Sequence, residues 1–332
     1  MRRKASLILL AFAVFFTALS PLMRWYAFPR LAKIPPNQYQ NAVLEAKNPT
    51  LIDYASMKAK KVPKVTIVQT LKGNVEESEK VEKTAGRDVV VWDALSYVVD
   101  PQGKMVSKIP ERYIFDAHSQ APVHTNTEAV DGDTVKREGI EFKWPFLTEK
   151  RDYEYYDAQA RVTKPIHYKG TRNFRGLKVY YFEQTIPWQK VPYPKTMPVK
   201  GVTAKSLAAS GTTRWYTTTR KFWVEPTTGA PVYGEEIMNN ELRGGSLLGD
   251  RDKVTVFNGH VKMREDYIKD IVDQVKSQRV LVLLLTSYLP WGFLILGVLL
   301  LALSLWLEAR SRRPGEPTEQ ADHDPEPEPV NA

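Results

Sequence analysis

Two stretches of this chain, Ala5 to Met23 and Val280 to Leu307, contain no charged side chain. A helix needs roughly 20 apolar residues to cross a hydrocarbon core, so each run is long enough to span a bilayer. The first run also follows the basic head Met1-Arg2-Arg3-Lys4, as a signal peptide would. It exceeds the usual apolar length of such peptides, about 7 to 15 residues. Its best small-residue pair, Ala18 and Ser20, is followed by Pro21, a poor residue just after a cleavage point. Arg24-Trp25-Tyr26 then reads as a headgroup-level belt. The expectation is an uncleaved anchor at one end and a second span at the other.

Two spans force both termini onto one side. Arg2, Arg3 and Lys4 before the first span, and Arg310, Arg312 and Arg313 after the second, place that side in the cytoplasm by the positive-inside rule. The expected organisation is a basic N-terminus (1–4), a first transmembrane helix (5–27), an extracytoplasmic domain (28–279), a second transmembrane helix (280–307) and a disordered, Pro-rich acidic tail (308–332). The formal charge is +9; with three bases at the start and three arginines against seven acids from Glu308 onward, the rest carries +10. A basic outer domain favours anionic neighbours, such as lipid headgroups or phosphate-bearing polymers, as much as it suits plain solvation. The outward-facing domain argues against nucleic acid. The chain has no cysteine, which excludes thiol catalysis, Fe–S ligation and cysteine zinc sites.

Between the spans, strand signals dominate. Val65 to Leu71 and Asp88 to Asp100 are rich in β-branched and aromatic residues and end at Lys72-Gly73-Asn74 and Pro101-Gln102-Gly103. Further strands are expected at Arg112 to Phe115, Gly139 to Phe146, Tyr153 to Val162, Leu177 to Thr185, Thr213 to Glu225, Pro231 to Met238 and Lys253 to Phe257. A short helix is expected around Asn41 to Ala46, the longest loop at Pro187 to Thr213, and an amphipathic helix from Met263 carrying Tyr267, Ile268, Ile271, Val272 and Val275. The fold class is therefore α+β: a mainly antiparallel β domain flanked by two transmembrane helices.

No nucleophile elbow, H-E-x-x-H, phosphate loop or G-x-G-x-x-G is present. We expect no enzyme and no cofactor. Asp116, His118 and His124 lack metal-ligand spacing, so no metal site is expected, and Glu149, Asp152, Glu154 and Asp157 read as surface charge on a strand. The aromatic residues of the middle third are mostly core. A remainder beside arginines would suit an amphipath with an anionic head, giving Trp144, Phe146, Arg172, Arg175, Trp215, Arg220 and Trp223 as candidate ligand-binding residues.

The stretch Gly139-Ile140-Glu141-Phe142-Lys143-Trp144-Pro145-Phe146-Leu147-Thr148-Glu149-Lys150, with Tyr153-Glu154-Tyr155-Tyr156-Asp157, resembles the central motif of an actinobacterial membrane family called porin PorA. Gly176 to Phe182 and Trp223 to Gly229 resemble its next two blocks. The resemblance implies a pore. The spans by themselves offer little to line one: Ser6, Thr17 and Ser20 in the first, and Thr286, Ser287, Tyr288 and Ser304 in the second, with no charged residue in Ala5 to Met23 or Val280 to Leu307. The leading expectation is thus a non-enzymatic protein of the plasma membrane whose outer domain binds or conducts lipid-like or anionic envelope components. A pore-forming subunit and a structural partner of an envelope-assembly complex are the alternatives. The expected partners are membrane lipid or an anionic envelope polymer, and a second copy or another envelope protein.

Overall fold

The computed structural model describes residues 2–197, 199 and 201–311; the acidic tail beyond them lies outside the described residues. The chain forms two units, residues 1–26 with 286–332 and residues 27–285.

In the first unit, α1 (Arg2–Pro21) packs against the C-terminal helix (Leu289–Ser311). Buried positions recur every seven residues on both helices: Ser6, Ala13 and Ser20 on one, and Pro290, Gly297 and Ser304 on the other. Small residues let two backbones approach, and a period of seven keeps them facing each other. At Gly297 a Cβ would stand 2.5 Å from Thr17 Oγ1. The Ser304 hydroxyl donates to the Ser6 carbonyl (2.8 Å) and the Ser6 hydroxyl to the Ser304 carbonyl (3.0 Å), so both polar side chains are satisfied inside the apolar pair. Two π-helical turns, Leu22–Ala27 and Leu284–Tyr288, adjoin these helices. Arg24, in the first, donates to the Thr286 carbonyl, in the second.

The second unit is one 14-stranded antiparallel sheet. Its strands are β1 (Tyr39–Lys47), β2 (Thr50–Asp53), β3 (Lys58–Lys61), β4 (Lys64–Gly73), β5 (Val89–Val99), β6 (Met105–Asp116) and β7 (Ala129–Val130). They continue with β8 (Asp133–Thr134), β9 (Tyr153–Asp157), β10 (Val162–Phe174), β11 (Leu177–Val191), β12 (Thr213–Glu225), β13 (Ala230–Arg243) and β14 (Lys253–Met263). The order along the main path is β8-β7-β6-β5-β4-β1-β14-β13-β12-β11-β10-β9, with β2 and β3 branching from β14. Helices α2 (Phe28–Leu31), α3 (Val75–Ala85), α4 (Ala204–Ala209) and α5 (Glu265–Leu283) belong to this unit, which makes the C-terminal helix α6.

The expected α+β class holds. Four local expectations fail, each for a reason. Asn41 to Ala46 is not helical but lies in β1, at the centre of the sheet, where pairing with β4 (Leu44↔Ile67) and β14 (Leu44↔Met263) overrides local propensity. Gly139 to Phe146 is not a regular strand: Gly139 and Phe142 have positive φ, and one bridge, Ile140 to Tyr155, joins it to the sheet. Its alternation reflects packing in two directions, Ile140 and Trp144 into one core cluster and Phe142 and Phe146 against another. The loop Pro187 to Thr213 is shorter than expected, because β11 continues to Val191 and α4 is set in the remainder, capped by Thr203 and Ser206. Tyr153 to Val162 is two strands, broken by a turn in which Asp157 Oδ1 accepts from the Ala160 amide (2.6 Å).

α3 was not expected. Its caps are nonetheless visible in the sequence: Asn74 accepts from the Glu77 amide (3.1 Å) and Gly86 closes the helix with φ 64. α5 fits the expected apolar stripe, burying Ile268, Ile271, Val272 and Val275 against Leu177, Val179 and Val232.

The two ends of the sheet path come together. Arg137 stands over the rings of both Tyr113 in β6 (5.5 Å) and Tyr156 in β9 (5.0 Å), and Arg161, just past β9, pairs with Asp133 in β8 (2.7 Å). The sheet is therefore curled, with the irregular segment Gly139–Thr148 filling its seam. That segment is pinned by backbone bonds on both sides: the Ile140 amide donates to the Glu154 carbonyl (2.8 Å), and those of Trp144, Leu147 and Thr148 donate to the carbonyls of Gly229, Thr227 and Pro226 (2.9, 3.1 and 2.7 Å).

Candidate functional site

Curling gives the sheet an inside, and side chains alternate along every strand, so one set of alternate residues must line it. A cavity of about 600 Å³ occupies this interior, within the range of about 300 to 1,000 Å³ typical of small-molecule sites. β13 presents Gly234, Glu236, Met238 and Asn240 to it at every second position, and β5 presents Trp92, Ser96 and Val98, followed by Asp100 just past its end. Trp92 and Asp100 are eight residues apart, roughly 26 Å at the rise of an extended strand. The lining thus runs nearly the full height of the sheet. One end carries Leu71, Trp92, Phe142, Lys143 and, from α5, Ile271 and Gln278; the other carries Val98, Val106, Asp53, Tyr54 and Lys104.

Between these ends lies a charged waist. Arg220 donates to Asp157 (2.6 Å) and Glu236 (3.0 Å), and the hydroxyl of Thr218 donates to the same Glu236 oxygen (2.6 Å). Tyr216 stands within hydrogen-bonding reach of both acids, 3.1 and 3.0 Å. Burial pushes the Glu236 carboxyl up, but the Arg220 charge and these donors win and hold it below its ordinary value. The set is locally satisfied and rigid.

The seam holds a second buried charge set, with a larger excess of carboxylate. Arg137, fully buried, donates to Glu141 (2.8 Å), Glu111 (3.0 Å) and Glu128 (3.4 Å). Three carboxylates against one guanidinium leave excess negative charge out of water, which favours taking up a proton. Burial first, then the neighbouring Glu111, raises the Glu141 carboxyl well above its usual range; Glu111 is raised by its own burial. Both line the cavity.

At its end of the cavity Lys143 is the lining cation, and no carboxylate among the described residues forms an ion pair with it; Lys60, Lys104 and Arg214 line the interior toward the other end, Arg214 donating to the Pro192 carbonyl, Gln159 and Asn240 (2.9 Å each). The Lys143 ammonium donates to the Trp144 carbonyl (2.8 Å) and stands 4.0 Å from the centroid of the Phe146 ring. Removal from water pushes the amine down to about 7, against the opposing pull of Glu225. Both Glu225 oxygens are already engaged: Oε1 by the Thr227 amide and Arg279 (3.1 and 3.3 Å), Oε2 by the Thr228 amide and hydroxyl (2.8 and 2.9 Å).

Of the seven ligand-binding residues expected from the sequence, Arg220 lines the cavity. Trp144 is wholly buried in the core beside Phe182 (5.1 Å) and Phe222 (5.3 Å), and Phe146 packs against the Trp92 cluster. Arg172 lies over Tyr181 (3.5 Å) and Trp223 (5.7 Å), on the side of the sheet that α5 covers; Arg175 pairs with Glu265. Trp215 flanks Arg243 at 4.7 Å. Lys143, Glu111, Glu141 and Glu236 are among the lining charges that sequence reasoning passed over. Their one signal was a charge inside an otherwise alternating apolar pattern. Asp157, read as surface charge, is fully buried. Asp116 Oδ1 accepts from the amides of His118 and Ser119 (3.1 and 2.8 Å), and the His118 ring lies between Ala32 O (3.1 Å) and Asp88 (2.9 Å).

The sequence model of the family described as Porin PorA matches residues 5–306. A Porin PorA of Corynebacterium resistens is 28% identical over 40% of this chain and 46% of its own length, so the alignment spans less than half of that relative. A Porin PorA of Corynebacterium amycolatum is 22% identical over 72% of this chain and 78% of its own. The family match covers the two apolar helices as well as the curled sheet between them, and on that extent this membrane protein belongs to the Porin PorA family.

Proposed function

We propose that this chain is a pore-type subunit of the cell envelope, in which the curled sheet supplies a conduit and the apolar helix pair supplies the membrane anchor. The observation that carries the reading is the height of the cavity, whose lining runs from Trp92 to Val98 along β5 and on to Asp100 just past its end. The printed names of both relatives support it. The helix pair has no ionisable lining, so passage through the bilayer itself requires several copies or a partner. Both termini face the cytoplasm in this reading, and the chain has no enzymatic role.

Planar-bilayer recording from purified full-length protein tests it. Conductance is expected, and Ala42→Trp, which fills the middle of the cavity from β1, is expected to abolish it with the sheet intact. Silence of the native protein at every protein concentration would retire the reading.

A second reading, retention of lipid-like envelope components, is favoured by the mixed lining, in which Leu71, Phe222, Met238 and Phe257 share the cavity with the charged waist.

A further inference from the structure

We propose that Lys143 is the anchor for the head of a single-chain amphipath carrying one negative charge, whose tail lies along the apolar wall of the same cavity. The site is built from one end of the interior. Phe142 and Phe146 hold the segment against Leu71 and Trp92, and the intervening Lys143 lines the same cavity as Phe222 and Met263. Of its three ammonium hydrogens, one serves the Trp144 carbonyl. Among the described residues no carboxylate forms an ion pair with it, and the nearby Glu225 is saturated by Arg279 and the two threonines. Two of its ammonium hydrogens therefore remain for a ligand at this end of the cavity, whereas Arg220 in the waist pairs with Asp157 and Glu236, and Arg214 farther along donates to Pro192, Gln159 and Asn240.

Charge count limits the head. The one ammonium at this end satisfies one negative charge, and Arg220 in the waist is already held by two carboxylates. The cavity volume limits the tail to one chain of drug-like bulk. Burial holds the amine close to its own titration, so an entering anion restores the full charge and gains a desolvated ion pair. Glutamine amides at the same end, Gln38, Gln274 and Gln278, supply neutral polar contacts around the head.

The proposal rests on the conduit reading only in taking the interior to be open to ligands; conductance blocked by Ala42→Trp tests that reading separately. The probe is a long-chain carboxylic acid with a photoreactive diazirine in its chain, applied to the full-length protein in amphipol and mapped by mass spectrometry. Its methyl ester and unlabelled lysophosphatidylglycerol are the comparison arms. The acid is expected to crosslink to cavity peptides. Lys143→Met is expected to lower the yield at least tenfold and Lys143→Arg to retain it, with both variants keeping the native far-UV spectrum. The ester should crosslink weakly and equally in all three proteins, a discrimination that mere bracing of the Trp144 carbonyl would not produce. Competition by the lysophospholipid identifies a phosphate head as the natural source, and its failure to compete identifies a carboxylate; either supports the site. Equal labelling of the native protein and Lys143→Met, or no labelling of the native protein, overturns it.

Discussion

Arg137 Nε donates to Glu141 Oε2 at 2.8 Å, and this bond ties the segment that fills the seam to the guanidinium that touches both ends of the curled sheet. The closure of the sheet therefore depends on a charge set with more carboxylates than cations, and its stability must follow the proton.

Glu141 and Glu111 titrate near ~4.3 in the unfolded chain, and both are raised in the fold, first by burial. The folded state binds the extra proton, so this contribution is full below the unfolded value and is lost as pH rises through the folded value. Denaturant unfolding at several pH values should show stability falling on that side. Glu141→Gln should reduce the fall and leave the remainder to Glu111, because it removes one of the two carboxyls whose deprotonation is opposed by burial. Arg137→Met should cost about 3–5 kcal/mol, since it leaves buried carboxylates unpaired.

Gly229 has φ 73, and a Cβ there would stand 2.2 Å from the Trp144 carbonyl oxygen. Gly103 has φ 79 and open space around it. Gly103→Ala should cost only the left-handed backbone penalty, about 1–2 kcal/mol. Gly229→Ala should cost more than that, because the seam segment has to move. Equal losses in thermal unfolding would show that the approach of Trp144 to this turn is not tight.

Trp144 has no exposed surface and packs on Tyr155, Phe182 and Phe222. Trp144→Ala is expected to destabilise the sheet unit by about 3–5 kcal/mol. Its intrinsic fluorescence in the native protein should also be blue-shifted and resist quenching by iodide.

In the membrane pair, the hydroxyls of Ser6 and Ser304 are 3.0 Å apart. The chain has no cysteine, so the double variant Ser6→Cys, Ser304→Cys carries the sole thiols and is expected to form one intramolecular disulfide on mild oxidation. Peptide mass spectrometry reads the crosslink. Its absence, with intermolecular dimers in its place, would mean that the two helices pair between chains.

Much of the fold was legible because its signals are local. Thr213–Glu225 alternates and ends at a turn, and it is β12 with those bounds; the apolar stripe of α5 is in the sequence itself. What was not legible depends on partners distant in the chain. Asn41 to Ala46 becomes extended only because β4 and β14 flank it, and 139–146 alternates because its two sides meet different clusters. The site follows the same rule. Trp144 and Trp223 looked available to a ligand but are needed for packing, whereas Asp157, read as surface charge, and Lys143, not singled out, line the interior. Curling of the sheet decides which side of a strand is inside, and no single strand encodes that.

The most direct measurement uses Ser96, which lines the cavity midway along β5. Single-channel current is recorded from Ser96→Cys before and after modification by a bulky methanethiosulfonate, with labelling verified by mass. A conduit through the curled sheet predicts that current falls to a small fraction on modification and recovers on reduction. Unchanged current through fully labelled protein would contradict it.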